Sequence, residues 1–221
     1  MSLNILHEDE HIIVCYKPAG IPTQTKKLGE QDMVSLLKNY LKGGYVAVIH
    51  RLDQPVEGLL VFAKTPFAAK ELNKGLQGAG FGKHYKAVLW GIPDKQSETL
   101  EDYLVKDGHT NTSRVCSPSE KDAKKAVLKY EVIATGEDDG KPISLVRVKL
   151  ETGRHHQIRV QMANMGCPIW GDAKYNTAAV RDRRYRQIAL CAYRLEFIHP
   201  KTKEKMEFEI EPQGEGFGKI S

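Results

Sequence analysis

One charged segment, His-Arg-Leu-Asp at residues 50–53, stands just before an apolar run at residues 59–63. The apolar run predicts a buried strand, so the charged segment is expected at its mouth, with Pro55 and Gly58 shaping the turn between them. The carboxylate of Asp53 can be dry enough there to react and open enough to meet a substrate. An Arg-x-Asp pair also fits a structural ion pair that holds a loop, so this segment alone leaves both interpretations open.

Two later motifs carry further reactive side chains. Tyr85 lies in a Lys-His-Tyr-Lys-Ala segment at residues 83–87, and residues 153–160 read Gly-Arg-His-His-Gln-Ile-Arg-Val, with Gly-Cys-Pro-Ile-Trp-Gly-Asp following at residues 166–172. Taken in order, the three motifs resemble those of the RluA family of pseudouridine synthases. The resemblance runs from about residue 4 to residue 212, and it is specific because two long motifs occur together and in the right order.

The resemblance implies a reaction in which uridine in RNA becomes pseudouridine. That reaction breaks an N-glycosidic bond and forms a carbon–carbon bond, and it needs no metal ion, cofactor or second reactant. Asp53 corresponds to the essential carboxylate of the family, and Arg159 to the cation that keeps this carboxylate ionised by lowering its pKa, typically by about 1–3 units. The ring of Tyr85 would stack on the uracil, and its hydroxyl could assist removal of the C5 proton.

The step performed by Asp53 is left open by the sequence. Its carboxylate could attack C1′ of the ribose, add to C6 of the ring or take the C2′ proton. Both other residues also have a purely structural interpretation. Arg159 could lie on the surface of a helix, and Tyr85 could pack in the core of the sheet, because its neighbours on one strand face are apolar.

Four further residues are candidates for RNA contact. A stacked uridine must leave the stack to reach a buried carboxylate, at a cost of a few kcal/mol. By resemblance, Arg51 fills the vacated space, while His50 is expected to shape the loop rather than to titrate. Arg154 and Gln157 lie at or near the start of a predicted helix, where backbone N–H groups favour phosphate.

The sequence departs from the family pattern at two places. Val56 and Glu57 replace the usual Thr-Ser pair after the aspartate. If Glu57 faces the cleft, it repels phosphate and raises the pKa of Asp53; if it faces outward, it has no such effect. The later histidines of the family pattern are Gln161, Asn164 and Cys167 here. These changes bear on substrate identity more than on the type of reaction.

Two other classes of function compete with an RNA pseudouridine synthase. A non-catalytic RNA-binding protein on the same scaffold would explain the altered residues 56–57, but binding alone does not require Asp53, Tyr85 and Arg159 together. An aspartate-dependent glycosidase would need a second carboxylate as its acid, and Glu57 is the nearby choice.

The remaining pattern predicts the elements that position these residues. We predict helices at about 33–41, 65–76 and 155–165, strands at 84–90, 126–133 and 144–150, and a hairpin joining 195–198 to 206–210. Residues 94–125 are polar and predict only short strands, and a basic run follows at 181–186. This gives an α+β class in one catalytic domain over residues 1–221. The resemblance implies a mostly antiparallel central sheet with flanking helices and a catalytic cleft.

The composition limits the class of protein. A net charge of +5 suits a polyanionic partner. The sequence has no run of about 18 apolar residues, so no membrane-spanning helix is predicted. The four cysteines are scattered without a Cys-x-x-Cys pair, and His155 and His156, if helical, point apart, so neither metal nor cofactor is expected. We therefore expect a cytoplasmic protein.

The chain starts almost directly at the expected catalytic core, so no S4-like module is expected ahead of it. Target choice would then depend on the cleft, which favours a stem-loop of ribosomal or transfer RNA. A monomer without an obligate protein partner is expected.

Overall fold

The computed structural model describes residues 3–27, 29–78, 80–176 and 187–220. The chain forms two compact units, Met1–Lys83 with Ala192–Pro212, and His84–Cys191 with Gln213–Ser221. The expected single domain over residues 1–221 stays a prediction. The basic run at 181–186 lies outside the described residues. Within the described part of the chain, no helix is long and apolar enough to cross a bilayer.

Antiparallel strands outnumber helices, which confirms the α+β class. In chain order the described elements are β1 (Asn4–Glu8), β2 (Ile12–Lys17), α1 (Met33–Tyr40), β3 (Ala47–Val48), β4 (Glu57–Ala63), α2 (Pro66–Gln77), β5 (Phe81–Trp90), β6 (Ser97–Asp107), β7 (Thr112–Val115), β8 (Lys124–Asp138), β9 (Lys141–Leu150), α3 (Gln157–Asn164), β10 (Leu190–Ile198), β11 (Lys205–Glu209) and a short 3-10 helix (Glu215–Lys219).

The first unit is built around β4, in which every residue is buried. β4 pairs antiparallel with β2 and with β3, and β10 pairs antiparallel with β11. Helices α1 and α2 begin as their sequences predict. The Asp32 side chain forms a capping box with Ser35, and Thr65 caps α2 ahead of Pro66. The predicted hairpin of β10 and β11 is confirmed, and exposed and partly buried residues alternate along β11.

Gly58 lies inside β4 rather than in the preceding turn, so the predicted role in that turn is wrong. Its φ is +135°, and a Cβ atom placed there would lie 2.5 Å from the backbone nitrogen of Ala192 in β10. Glycine is therefore required by the close approach of the neighbouring strand rather than by a change of chain direction.

The second unit is an antiparallel sheet with the strand order β5-β9-β8-β6-β7. β8 and β9 are longer than the predicted strands at 126–133 and 144–150, because only a two-residue turn separates them. Asp139 and Gly140 have φ values of 50° and 71°, as a tight hairpin turn of the type I′ class requires.

The strand β6 corrects the prediction that residues 94–125 hold only short strands. The strand has 11 residues, of which only Leu104 is buried. Because so little of it lies in the core, its sequence shows no strong apolar alternation. Continuous pairing with β8, from Ser97 opposite Glu131 to Leu104 opposite Lys124, stabilises the strand instead.

A half-buried junction in the first unit joins the turn before β2 to the residue after β10. Asp9 Oδ1 accepts hydrogen bonds from the backbone N–H groups of His11 (2.7 Å) and Ile12 (2.9 Å). Asp9 Oδ2 lies 3.0 Å from His199 Nε2 and 3.1 Å from His7 Nε2. Burial raises the pKa of Asp9, but the hydrogen bonds from Ile12 and His11 outweigh it, and the pKa falls from 3.8 to about 2.

We predict that in Asp9→Asn the free energy of unfolding depends less on pH in the acid range than it does in wild type. Because the folded pKa is lowered, ionised Asp9 stabilises the fold above its unfolded pKa, and this contribution is lost as the pH falls through about 2. The difference in free energy of unfolding between wild type and Asp9→Asn should therefore shrink from about pH 4 downwards. Urea denaturation of both proteins at about pH 7, 4 and 2.5 measures it; a difference that stays constant would contradict this prediction.

Candidate active site

The loop that carries Asp53 is fixed on both sides of that residue. On one side, Thr23 Oγ1 accepts a hydrogen bond from the Leu52 backbone N–H (3.1 Å) and donates one to the Leu52 carbonyl (3.0 Å). On the other side, the Gln54 carbonyl accepts the backbone N–H of Gly20 at 2.8 Å. The half-buried side chain of Asp53 therefore extends from a backbone that has little freedom to move.

A buried ammonium group also holds this loop. Lys17, at the end of β2, is 0% exposed, and its Nζ donates to the carbonyls of Pro18 (3.0 Å), Ile21 (2.7 Å) and Gln54 (3.1 Å). Since Gln54 follows Asp53 directly, Lys17 connects β2 to the residue next to the candidate carboxylate.

The charge of Lys17 acts on two carboxylates. Burial lowers the pKa of Lys17 from 10.5 to about 7, and the nearby charges of Asp53 and Glu57 oppose that change. Asp53 thus interacts with a cation from its own unit, which the sequence interpretation missed. The available signal was a lysine that ends a buried apolar strand, where a charge needs partners.

Glu57 is the first residue of β4 and is 1% exposed, so the outward position considered from the sequence is wrong. Its Oε2 accepts a hydrogen bond from the Tyr16 hydroxyl at 2.5 Å, and its charge acts on Lys17. The carboxylate is therefore held inside the unit, among polar partners, rather than exposed to solvent.

The two residues at the start of the charged segment differ in character. His50 is buried, and its Nε2 accepts the Val61 backbone N–H at 3.4 Å. Burial, together with the charge of Lys83, lowers the pKa of His50 to about 3, so the ring is neutral near pH 7 and shapes the loop, as predicted. Arg51 is exposed, and its Nη2 donates to the Gln24 carbonyl at 3.0 Å. Contact of either residue with RNA stays a prediction.

The second unit holds the other predicted catalytic residues. Tyr85 is buried in β5, opposite Val148 of β9, as the sheet-core interpretation expects. Arg159, in α3, is 4% exposed, which excludes a helix-surface position. Asp53 belongs to the first unit, so its expected pairing with Arg159 and the catalytic role of Tyr85 stay predictions.

Arg159 has two partners that the sequence interpretation did not identify. Its Nε and Nη2 donate to Asp172 Oδ2 (2.8 Å) and Oδ1 (2.7 Å), which makes a buried bidentate ion pair. Its guanidinium carbon lies over the ring of Tyr175, 5.1 Å from the centroid. The signal for Asp172 was its place in the Gly-Cys-Pro-Ile-Trp-Gly-Asp segment, which was matched to the family without a role for the aspartate.

The helix α3 starts later than predicted, at Gln157, because His156 has a left-handed backbone with φ 55° and ψ 26°. The rings of His155 and His156 stack at 3.7 Å between centroids instead of pointing apart. His155 thus precedes the helix that carries Arg159. Within the described residues, no group of three or more His, Cys, Asp or Glu side chains is arranged to hold a metal ion.

The predicted phosphate contacts at α3 differ in exposure. Gln157 is buried, and its Oε1 accepts hydrogen bonds from Thr152 Oγ1 (2.8 Å) and from the backbone N–H of Arg154 (3.0 Å). Arg154 is exposed, with its Nε donating to the Lys125 carbonyl at 2.8 Å. Gln157 therefore organises the start of the helix, while the outer nitrogens of Arg154 are better placed to meet an anion. Both RNA contacts stay predictions.

Comparison with known proteins gives matches of sequence and of fold. The RNA pseudouridylate synthase family matches residues 11–164. The uncharacterized RNA pseudouridine synthase YhcT of Bacillus subtilis (strain 168) is 33% identical over 208 residues, covering 92% of this chain and 66% of its own length. The dual-specificity RNA pseudouridine synthase RluA of Pasteurella multocida (strain Pm70) is 32% identical, over 95% of this chain and 93% of its own.

The solved structures agree on the fold. Human RNA Pseudouridylate Synthase Domain Containing 1 superposes with a TM-score of 0.81 at 23% identity, covering 96% of this chain and 84% of its own. The present chain spans slightly under two thirds of the length of YhcT, at 66%.

We predict that Glu57→Ser destabilises the protein, although a small hydroxyl residue is usual in the family pattern. The change removes the carboxylate that accepts the Tyr16 hydroxyl and that, with Asp53, balances the charge of buried Lys17. This should lower the free energy of unfolding by about 2–4 kcal/mol. Denaturant unfolding measures the loss.

Glu101→Ser is the matched control. Glu101 pairs with Lys125 on the surface, and exposed ion pairs contribute little, so stability should hardly change. If Glu57→Ser were as stable as wild type, Glu57 would have no part in holding Lys17.

Proposed function

This chain belongs to the RNA pseudouridylate synthase family, and we propose that it isomerises specific uridines of a structured RNA to pseudouridine. The observation that carries the proposal is the placement of Asp53 on a loop that is fixed by Thr23, Gly20 and Lys17. A reactive carboxylate needs a fixed geometry, and the charge of Asp53 interacts with that of Lys17, which holds the same loop.

The reaction we propose is an internal rearrangement that starts from ionised Asp53. The bond between C1′ and N1 breaks, the base turns and a bond between C1′ and C5 forms. The C5 hydrogen then leaves as a proton, and N1 takes up a proton from solvent. Tyr85 would stack on the uracil and assist removal of that proton. Arg159, already oriented by Asp172, would contribute a fixed positive group.

We also propose that the uridine leaves its stack before it reacts. Arg51 is exposed at the start of the loop, two residues before Asp53, and can fill the space left by the base. Its hydrogen bond to the Gln24 carbonyl would have to be exchanged for contacts with RNA. The exposed Arg154, supported by Gln157, is the proposed phosphate contact.

The proposed substrate is a stem-loop of ribosomal or transfer RNA. The Pasteurella multocida relative is named for dual specificity, and the net charge of +5 suits a polyanion. We propose that the protein acts in the cytoplasm as a monomer, without an obligate protein partner.

A non-catalytic RNA-binding protein is the alternative. The altered pair Val56-Glu57 suggested it, but the hydrogen bond that Glu57 accepts from Tyr16 and its electrostatic interaction with Lys17 give that residue a structural role. The two functions differ in their need for the Asp53 carboxylate. Isomerisation requires it, whereas RNA binding does not.

We predict that Asp53→Asn abolishes isomerisation while RNA binding is retained. Loss of a reacting carboxylate should lower the rate by at least about a thousandfold. The measurement is tritium release from RNA that carries [5-³H]uridine, because isomerisation expels the C5 hydrogen. Total RNA from cells that lack this gene supplies an unmodified target.

Asp122→Asn is the matched control, because Asp122 is an exposed loop residue with a φ of 64°, a conformation that asparagine also adopts. It should release tritium as wild type does. Equal release by Asp53→Asn and wild type would remove Asp53 from the reaction. Binding without release by the folded wild-type protein would instead favour the RNA-binding alternative.

A further inference from the structure

Arg159 is restrained from two directions inside the second unit. Asp172 binds the edge of the guanidinium group through two hydrogen bonds, of 2.8 and 2.7 Å. The ring of Tyr175 lies against its face, with the guanidinium carbon 5.1 Å from the ring centroid. An ion pair at one edge still allows the plane to pivot about that edge. A ring packed on the face restricts this motion, and it also attracts the positive charge.

Tyr175 is itself fixed at its hydroxyl. That oxygen accepts the backbone N–H of Ser113, in β7, at 2.8 Å. It also lies 2.7 Å from Nδ1 of His156. These two contacts hold the hydroxyl between β7 and the residue before α3.

His156 is itself held in place. Its backbone is left-handed, with φ 55°, and its ring stacks on that of His155, whose Nδ1 lies 2.8 Å from the Ser113 hydroxyl. Burial, followed by the charge of Arg159, lowers the pKa of His156 to about 2, so the ring stays neutral near pH 7. These contacts connect three parts of the chain around Arg159, namely β7, the residue before α3 and the turn after Asp172.

We propose that Tyr175 is a positioning residue for Arg159. Its ring, anchored through the hydroxyl to Ser113 and His156, keeps the guanidinium group in one orientation while Asp172 holds its edge. This inference rests on the proposed function, in which Arg159 takes part in the isomerisation. Without the ring, Arg159 keeps its ion pair but visits orientations in which it does not serve the reaction.

A double-mutant cycle tests whether Tyr175 acts through Arg159. Tyr175→Leu should lower kcat by about 10–100-fold with a change in KM below about 3-fold, and Tyr175→Phe, which retains the ring, should lower kcat by less than about 10-fold. In an Arg159→Lys background, Tyr175→Leu should add less than about 3-fold, because the group it positions is already gone.

Tyr130→Phe is the matched control, since it removes the hydroxyl of another tyrosine in the same unit, one that donates to the Lys95 carbonyl at 3.2 Å. It should leave kcat and KM unchanged. If the effects of Tyr175→Leu and Arg159→Lys on kcat multiply independently, the proposal is overturned.

A second readout does not require activity. Hydrogen exchange at the Arg159 Nε–H, followed by NMR, should be faster by at least about 10-fold in Tyr175→Leu than in wild type and unchanged in Tyr130→Phe. Unchanged exchange in a folded Tyr175→Leu protein would overturn the proposal. Faster exchange in Tyr175→Leu, with a wild type that converts no RNA, would leave the positioning of Arg159 in place and reject the proposed function instead.

Discussion

The first unit depends on how it accommodates one fully buried ammonium group. An unpaired buried charge is too costly for a marginally stable fold, so Lys17 must find partners in its surroundings. Three backbone carbonyls supply hydrogen bonds, and one of them is that of Gln54, next to Asp53. The charges of Asp53 and Glu57 supply the electrostatic balance. The need to satisfy Lys17 therefore fixes the path of the loop and places the candidate carboxylate within the field of a cation.

The second unit solves a comparable problem around Arg159. Its charge is balanced by Asp172 and covered by Tyr175, so it is an oriented donor rather than an isolated cation. Such a group costs little reorganisation when charge develops nearby, which is the property that electrostatic catalysis requires. Both units thus hold their charged residues in internally balanced clusters, and the modest net charge of +5 does not measure the strength of the local fields.

The sequence predicted the parts of the structure that local chemistry decides. Thr65-Pro66 predicted the start of α2, and the apolar run predicted the buried β4, because capping and burial act over a few residues. It missed the long strand β6, which owes its form to pairing with β8 more than to its own apolar pattern. The motifs named Asp53, Tyr85 and Arg159 as candidates. The side chains around these residues could not be predicted, because they come from positions that are far apart in the chain. Residues 17 and 54 are 37 positions apart, and residues 113 and 175 are 62 apart.

The exchange of a small hydroxyl residue for Glu57 shows why a departure from a family pattern needs its structural context. Judged by charge alone, a second carboxylate four residues after Asp53 threatens both phosphate binding and the ionisation of Asp53. In the folded unit, the Tyr16 hydroxyl donates to Glu57, and the Lys17 ammonium acts on it as well as on Asp53. A carboxylate next to the loop that carries Asp53 can therefore stabilise the fold, provided that the charge of a buried lysine balances it. Glu57 and Lys17 therefore act as one charge-balanced pair, and the electrostatic surroundings of Asp53 depend on both residues.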